Sequence, residues 1–145
     1  MKTLFKMFVY WGISFLLLAS TCKKEVLPNP QNLQLNTPFE IPVNGELIDP
    51  EGMEIKVNEI TDVRCPVDLQ CFWAGNAKVE LIMKADNAGK QISLCIGQCD
   101  TRYQEADTVE VYYREQAFNL ILMEVKPYPG TDNKKKSAVF KLQKK

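Results

Sequence analysis

The chain has 145 residues, 18 basic and 18 acidic side chains, and no histidine. This length fits one domain, and the balanced charge argues against nucleic acid as a partner. The lack of histidine removes the commonest general base and the commonest metal ligand, and most hydrolytic sites with them.

The first 21 residues have the pattern of an export signal. Lys2 and Lys6 precede an apolar run from Met7 to Leu18, and small residues then lead to Cys22. A basic start, a short apolar stretch and small residues before a cut are typical of a secretory signal peptide. The run is shorter than the ~20 residues that span a membrane, which disfavours the alternative of a retained anchor helix.

Cys22 follows Ala19-Ser20-Thr21 directly, and this arrangement resembles the lipobox of bacterial lipoproteins. With Lys23-Lys24-Glu25 after it, the segment is similar to lipoproteins of the Bacteroidetes type. The resemblance implies cleavage after residue 21, acylation of Cys22, and a protein of the cell envelope that is lipid-anchored to a bacterial membrane, expected to be the outer membrane. Ala19 and Thr21 differ from the residues usual at their positions, and a plain signal peptide with a spare thiol is the alternative.

Cleavage there removes two lysines and no acids, so 16 basic and 18 acidic side chains remain. Attachment to the membrane would then depend on the acyl chains, at ~0.8 kcal/mol per buried CH₂, and not on charge. Residues 22–38 hold three prolines and three asparagines without periodicity, which predicts a semi-extended tether. A single β-domain is expected over residues 39–145.

Beyond the tether, apolar residues alternate with polar ones in short runs that are separated by turn sequences. We predict about seven or eight antiparallel strands, arranged as a β-sandwich or a partly open barrel. Pro42 should keep the first strand at a sheet edge. Phase slips at Ile60 and at Val125 predict bulges or bends, and Lys134 to Lys136 is interpreted as a solvated loop. The alternating runs are Phe39–Val43, Met53–Val57, Ala77–Ala85, Ile92–Ile96, Val109–Tyr113, Phe118–Leu122 and Ala138–Leu142, with Leu47–Ile48 as a shorter one.

Four cysteines remain in the domain: Cys65, Cys71, Cys95 and Cys99. An even number in an exported chain favours disulfides. We expect the disulfides Cys65–Cys71 and Cys95–Cys99. A turn at residues 86–89 would pair Leu81 with Leu94, and in that register the cysteines of the crossed pairings do not lie opposite each other. A four-thiolate zinc site is the alternative, but the spacings are looser than those of common zinc knuckles, so no metal and no cofactor is predicted.

Three segments together resemble a family of small exported bacterial proteins. That family carries a core motif RCPxxxxCxWAGxA and a later Pro-Tyr-Pro before its final strand, and no activity is assigned to it. The resemblance covers roughly residues 39–142, although the second cysteine pair is not part of the pattern. It implies a shared domain and says little about chemistry. The segments are Asp62–Pro66, Cys71–Ala77 and Lys126–Pro129.

The sequence does not predict an enzyme. Ser93 and Ser137 lack both a nucleophile-elbow context and a histidine partner, and no carboxylate spacing marks a two-acid site. The carboxylates considered are Asp62, Asp68, Glu80, Glu105 and Asp107.

A binding or accessory module is the better hypothesis, because Arg64, Asp68, Phe72 and Trp73 would share a disulfide-stiffened loop over residues 64–76. Trp73 either belongs to an exposed patch or turns inward as a core plug, and the inward position is favoured. Arg64 either joins an exposed patch or pairs with a neighbouring acid to fix the loop. The alternatives are a structural envelope lipoprotein without a ligand site and a protease-inhibitor-like module. The expected partners are the lipid membrane, through Cys22, and an envelope protein.

Overall fold

The computed structural model describes residues 33–85, 88–132 and 134–145. The predicted signal peptide, residues 1–21, and the predicted lipidation site Cys22 therefore lie outside the described residues. The described chain is all β, as predicted, and forms two antiparallel sheets that face each other as a sandwich without closing into a barrel. No helix long and apolar enough to span a membrane occurs in the described part of the chain.

Within the described residues, nine strands build the two sheets. One sheet has the order β1-β9-β8-β7 and the other has the order β2-β3-β4-β5-β6. The strands are β1 (Pro38–Pro42), β2 (Glu46–Ile48), β3 (Glu54–Asp62), β4 (Asn76–Ala85), β5 (Ala88–Cys99), β6 (Arg102–Gln104), β7 (Asp107–Tyr113), β8 (Gln116–Lys126) and β9 (Ser137–Lys144). The short strand β6 is not among the predicted runs, because its three residues lack an apolar alternation.

The core lies between the sheets, where the alternating residues of both meet. Period-two alternation places every second side chain on one face of a strand, and the inward set is almost fully buried. Its largest members are Phe140, Ile41, Ile55, Leu81, Leu94, Leu120, Leu122 and Leu142. Both predicted phase slips are register shifts, one between Val57 and Glu59 and one between Leu122 and Glu124.

One local expectation changes in the tertiary structure, and one turn joins the two sheets. The strand pair β4–β5 aligns Leu81 with Ile92, not with Leu94, because the connection is two residues long and Ala88 and Gly89 already belong to β5. The Asn44-Gly45 turn carries the chain from β1 in one sheet to β2 in the other, since β1 pairs with β9. β1 lies at a sheet edge, as Pro42 predicted.

The strand directions give the sandwich two distinct ends. At one end, which we call the loop end, the connections 63–75 and 127–136 lie side by side. At the other end, the chain-terminus end, Asn36 donates its N–H to the Leu142 carbonyl and Lys145 donates to the Ala117 carbonyl. The N-terminal segment thus joins the domain at the end opposite to the loop 64–76.

Candidate functional site

The candidate loop is held at its base by a buried ion pair. Arg64 donates to both carboxylate oxygens of Asp62, through Nε and Nη2 at 2.8 Å each. Their side chains are 8% and 2% exposed. The same Nη2 donates to the Val125 carbonyl oxygen at 2.7 Å, so Arg64 joins the loop to β8. Arg64 therefore fixes the loop by pairing with a neighbouring acid and does not form part of an exposed patch.

The connection between β8 and β9 completes this cluster. The Lys136 ammonium group forms a second ion pair with Asp62, at 2.7 Å, and also donates to the Pro127 carbonyl. The Tyr128 ring lies under the Arg64 guanidinium, 4.3 Å from ring centroid to Cζ, at a distance where a cation–π contact is favourable. Val67 donates its N–H to the Pro129 carbonyl at 3.2 Å. The Arg-Cys-Pro and Pro-Tyr-Pro segments, some sixty residues apart in sequence, therefore form one structural unit.

The charges of this cluster compensate for their burial. Desolvation would raise the pKa of Asp62, but hydrogen bonds from Arg64 and Lys136 outweigh it and hold that pKa below its ordinary value. For Arg64, desolvation would lower the pKa, and the carboxylate of Asp62 raises it instead. Asp62 is thus an ionised structural anion between two cations, and it is not available as a general base.

The Cys65–Cys71 disulfide closes the loop above this base, with 5.9 Å between its Cα atoms. Cys65 donates its N–H to the Ala74 carbonyl at 2.8 Å, and Val63 donates to the Asn76 carbonyl. Gly75 has a φ of +70°, and a Cβ there would lie 2.0 Å from the Val63 carbonyl oxygen. Only glycine fits at this position, so the two sides of the loop approach each other closely.

The tip of the loop carries the most exposed aromatic residues of the site. Phe72 is 97% exposed and Trp73 is 67% exposed, and their rings meet edge to face with 5.5 Å between centroids. The expectation that Trp73 plugs the core is therefore wrong: the core is already filled by both sheets, and the disulfide holds the loop outside it. Asp68 is also exposed on this loop. Further exposed apolar side chains of the loop are Val63, Val67 and Leu69.

The second disulfide, Cys95–Cys99, has the predicted partners and lies at the same end of the sandwich. It closes a bend in β5 around Gly97, whose φ is +91°. Gln98 donates its N–H to the Gly75 carbonyl, and the Asn76 amide donates to the Gln98 carbonyl. The end of the loop 64–76 is therefore hydrogen-bonded to the segment that the Cys95–Cys99 disulfide closes.

The site presents exposed aromatic side chains at its tip and paired charges at its base. No cluster of His, Cys, Asp and Glu that could hold a metal occurs among residues 33–85, 88–132 and 134–145. The remaining carboxylates do not converge with Asp62. Asp107, for example, accepts the N–H of Cys95 at 2.9 Å, which makes it a structural acceptor for β5.

Comparison of the chain with protein-family models, with curated protein sequences and with solved structures found no match. The resemblance to exported bacterial lipoproteins remains a prediction from the sequence.

Sequence reasoning missed two members of the cluster. Lys136 was interpreted as part of a solvated run, and Tyr128 was noted only as part of a motif. No local signal in the sequence indicated either residue, because both contact Asp62 or Arg64 from a connection more than sixty residues further along the chain.

Proposed function

We propose that the protein is an envelope lipoprotein, anchored through Cys22, whose β-sandwich binds another envelope protein with the loop 64–76. The observation that carries the proposal is the exposure of Phe72 and Trp73 on a loop that is held rigid. Large exposed aromatic side chains on a fixed scaffold bind at low conformational cost, and tryptophan is enriched at the energetic centres of interfaces.

Rigidity of the loop has three independent sources. The Cys65–Cys71 disulfide closes it, the Asp62–Arg64 pair fixes its base, and Val67 is hydrogen-bonded to the neighbouring connection. A flexible loop would lose about 0.5–1.5 kcal/mol for each side chain that binding immobilises. Preorganisation reduces that cost here.

The partner surface is expected to be an apolar groove with few charges. Val67, Leu69, Phe72 and Trp73 offer aliphatic and aromatic side chains, whereas the charges of Asp62 and Arg64 are already paired inside the domain. An exposed apolar patch of this kind typically marks an interaction site. The loop also lies at the end of the sandwich opposite to the N-terminal segment, so anchoring through Cys22 would leave it free to reach a partner.

The test is site-specific photo-crosslinking in intact envelopes, with the crosslinking residue at position 72. Tyr112 is the control position, because it is as exposed as Trp73, at 67%, but lies on β7. We expect one discrete adduct from position 72 and none from position 112. Excess soluble domain should compete for that adduct, and a Phe72→Ala, Trp73→Ala domain should compete at least about tenfold less well. Equal adducts from both positions, or equal competition by the double variant, would contradict the proposal.

A further inference from the structure

The edge of β5 has a stretch of backbone without a partner strand. Every residue from Ala88 to Gly97 is paired with β4 on one side. On the other side, β6 covers only the last three residues, Gly97, Gln98 and Cys99. From Ala88 to Leu94, β5 therefore has an edge without a partner strand.

The hydrogen bond of Cys95 gives the direction of the backbone groups along this edge. Its N–H points away from β4, because the Asp107 carboxylate on β7 accepts it. In an antiparallel strand the N–H and C=O groups of alternate residues point to the same side. Gly89, Gln91 and Ser93 therefore direct their N–H and C=O groups outward. All three are exposed, and none of these groups has a backbone partner among the described residues.

The other sheet edges are blocked in recognised ways. β1 has a proline at each end, and β2 and β6 have three residues each. On β7, the Thr108 N–H is already accepted by Asp107, and Glu110 places a carboxylate in the middle of the edge. Short strands, prolines and charges are the usual protection of sheet edges. The open stretch of β5 has only Lys90.

We infer that a second copy of this chain pairs with this edge, so that two β5 strands lie antiparallel across a two-fold axis at Gln91. In this register Gln91 faces Gln91 of the second copy, and Gly89 faces Ser93. Each of these three hydrogen-bonded pairs exchanges two N–H···O bonds. All outward N–H and C=O groups of the three residues then have a partner. This gives six hydrogen bonds between the two copies, over about six residues of each β5 strand.

The two neighbouring registers are disfavoured, one by charge and the other by a backbone N–H that is already bound. A shift that centres the axis on Lys90 places two lysines directly opposite each other, which is destabilising. A shift that centres it on Ile92 brings Gly89 opposite Cys95, whose N–H is already bound by Asp107. With the axis at Gln91, Lys90 faces Ile92 and no like charges meet. The paired stretch also ends at Leu94, directly before the residue that Asp107 covers.

The first test is cysteine crosslinking of the full-length protein in its native envelope. In the proposed register the Cα atoms of the two Gln91 residues are ~5.5 Å apart, within the range of a disulfide. Gln91→Cys should give a covalent dimer under mild oxidation. Lys56→Cys is the matched control, because Lys56 is exposed and lies in the same row of the sheet, across Ile82 from Gln91. A dimer from Lys90→Cys but not from Gln91→Cys would overturn the register, and no dimer, or an equal yield from Lys56→Cys, would overturn the inference.

The second test measures the mass of the purified protein as a function of its concentration. Gln91→Pro removes one outward N–H while the bonds between β5 and β4 remain, since proline is tolerated where a strand's N–H faces solvent. Gln91→Thr keeps the N–H and is the control. We expect Gln91→Pro to raise the dimer dissociation constant about tenfold or more, and Gln91→Thr to change it little. Equal dissociation constants for the two variants, or a wild-type protein that stays monomeric at high concentration, would contradict pairing through this edge.

Discussion

The Asp62 carboxylate accepts two hydrogen bonds from the Arg64 guanidinium, and it does so at the base of the loop that carries the exposed aromatic pair. With Lys136 on the other side, Asp62 joins β3, the loop and the connection before β9. Because the Asp62 side chain is only 2% exposed, the pair is little weakened by solvent. The base of the loop 64–76 is therefore held in place by one buried anion.

Asp62→Asn should destabilise the domain by about 3–5 kcal/mol, because it leaves the Arg64 charge buried without its partner. Urea denaturation at neutral pH measures this. Lys78→Met is the control: its ion pair with Glu80 is half exposed, and such pairs contribute about 1 kcal/mol or less. Equal losses for the two variants would show that the Asp62 pair does not fix the fold.

Protonation of Asp62 should lower the stability of the wild-type protein at acid pH. The pKa of this carboxyl is below its ordinary value of 3.8 in the folded protein, so the unfolded chain takes up its proton first. The contribution of Asp62 is therefore fully present above the unfolded pKa and is lost as pH falls through the folded pKa. The difference in unfolding free energy between wild type and Asp62→Asn should be constant from about pH 5 to 7 and shrink below about pH 4. A difference that grows on acidification would contradict the assigned ion pairs.

Phe72→Ala and Trp73→Ala should each change the free energy of unfolding by no more than about 0.5 kcal/mol, because neither side chain packs in the core. Phe140→Ala, at a fully buried position, should cost about 3–5 kcal/mol. Thermal or urea unfolding distinguishes the two classes of variant.

In the protein without residues 1–21, Trp73 is the single tryptophan, and iodide should quench its fluorescence readily. A protected Trp73 would argue against the exposed loop tip.

Replacing Cys65 and Cys71 by serine should cost about 2.4 kcal/mol from loop-closure entropy over seven residues. The larger effect should be on the loop, whose aromatic tip would lose its fixed position. Fluorescence anisotropy of Trp73 should fall, whereas the corresponding replacement of Cys95 and Cys99 should leave that anisotropy much less changed. An unchanged anisotropy in the first variant would mean that the ion-pair cluster alone orders the loop.

Cys22→Ser should move the protein from the membrane fraction to the soluble fraction, because stable anchoring requires acyl chains. Cell fractionation and immunoblotting check this. Lys23→Ser, which leaves the cysteine in place, is the control and should remain with the membrane. Retention of Cys22→Ser in the membrane would contradict lipidation at this residue.

Local signals in the sequence were sufficient for most of the fold. Period-two alternation determined which residues face the core, because successive side chains on a strand point to opposite faces. Phase slips located the two bulges, and the prolines of β1 placed it at an edge. Both disulfides join cysteines at most six residues apart, so the chain itself holds the partners close together.

The tertiary structure alone decided the features that depend on distant segments. Whether β1 pairs with β2 or with β9 is a competition between strands about a hundred residues apart, and a turn sequence cannot settle it. The pairing of Asp62 with Lys136 has the same origin. Trp73 is the clearest case: its apolar ring is compatible with the core or with the surface, and its outward position follows from a core already filled by both sheets and a loop held outside it by Arg64 and the Cys65–Cys71 disulfide.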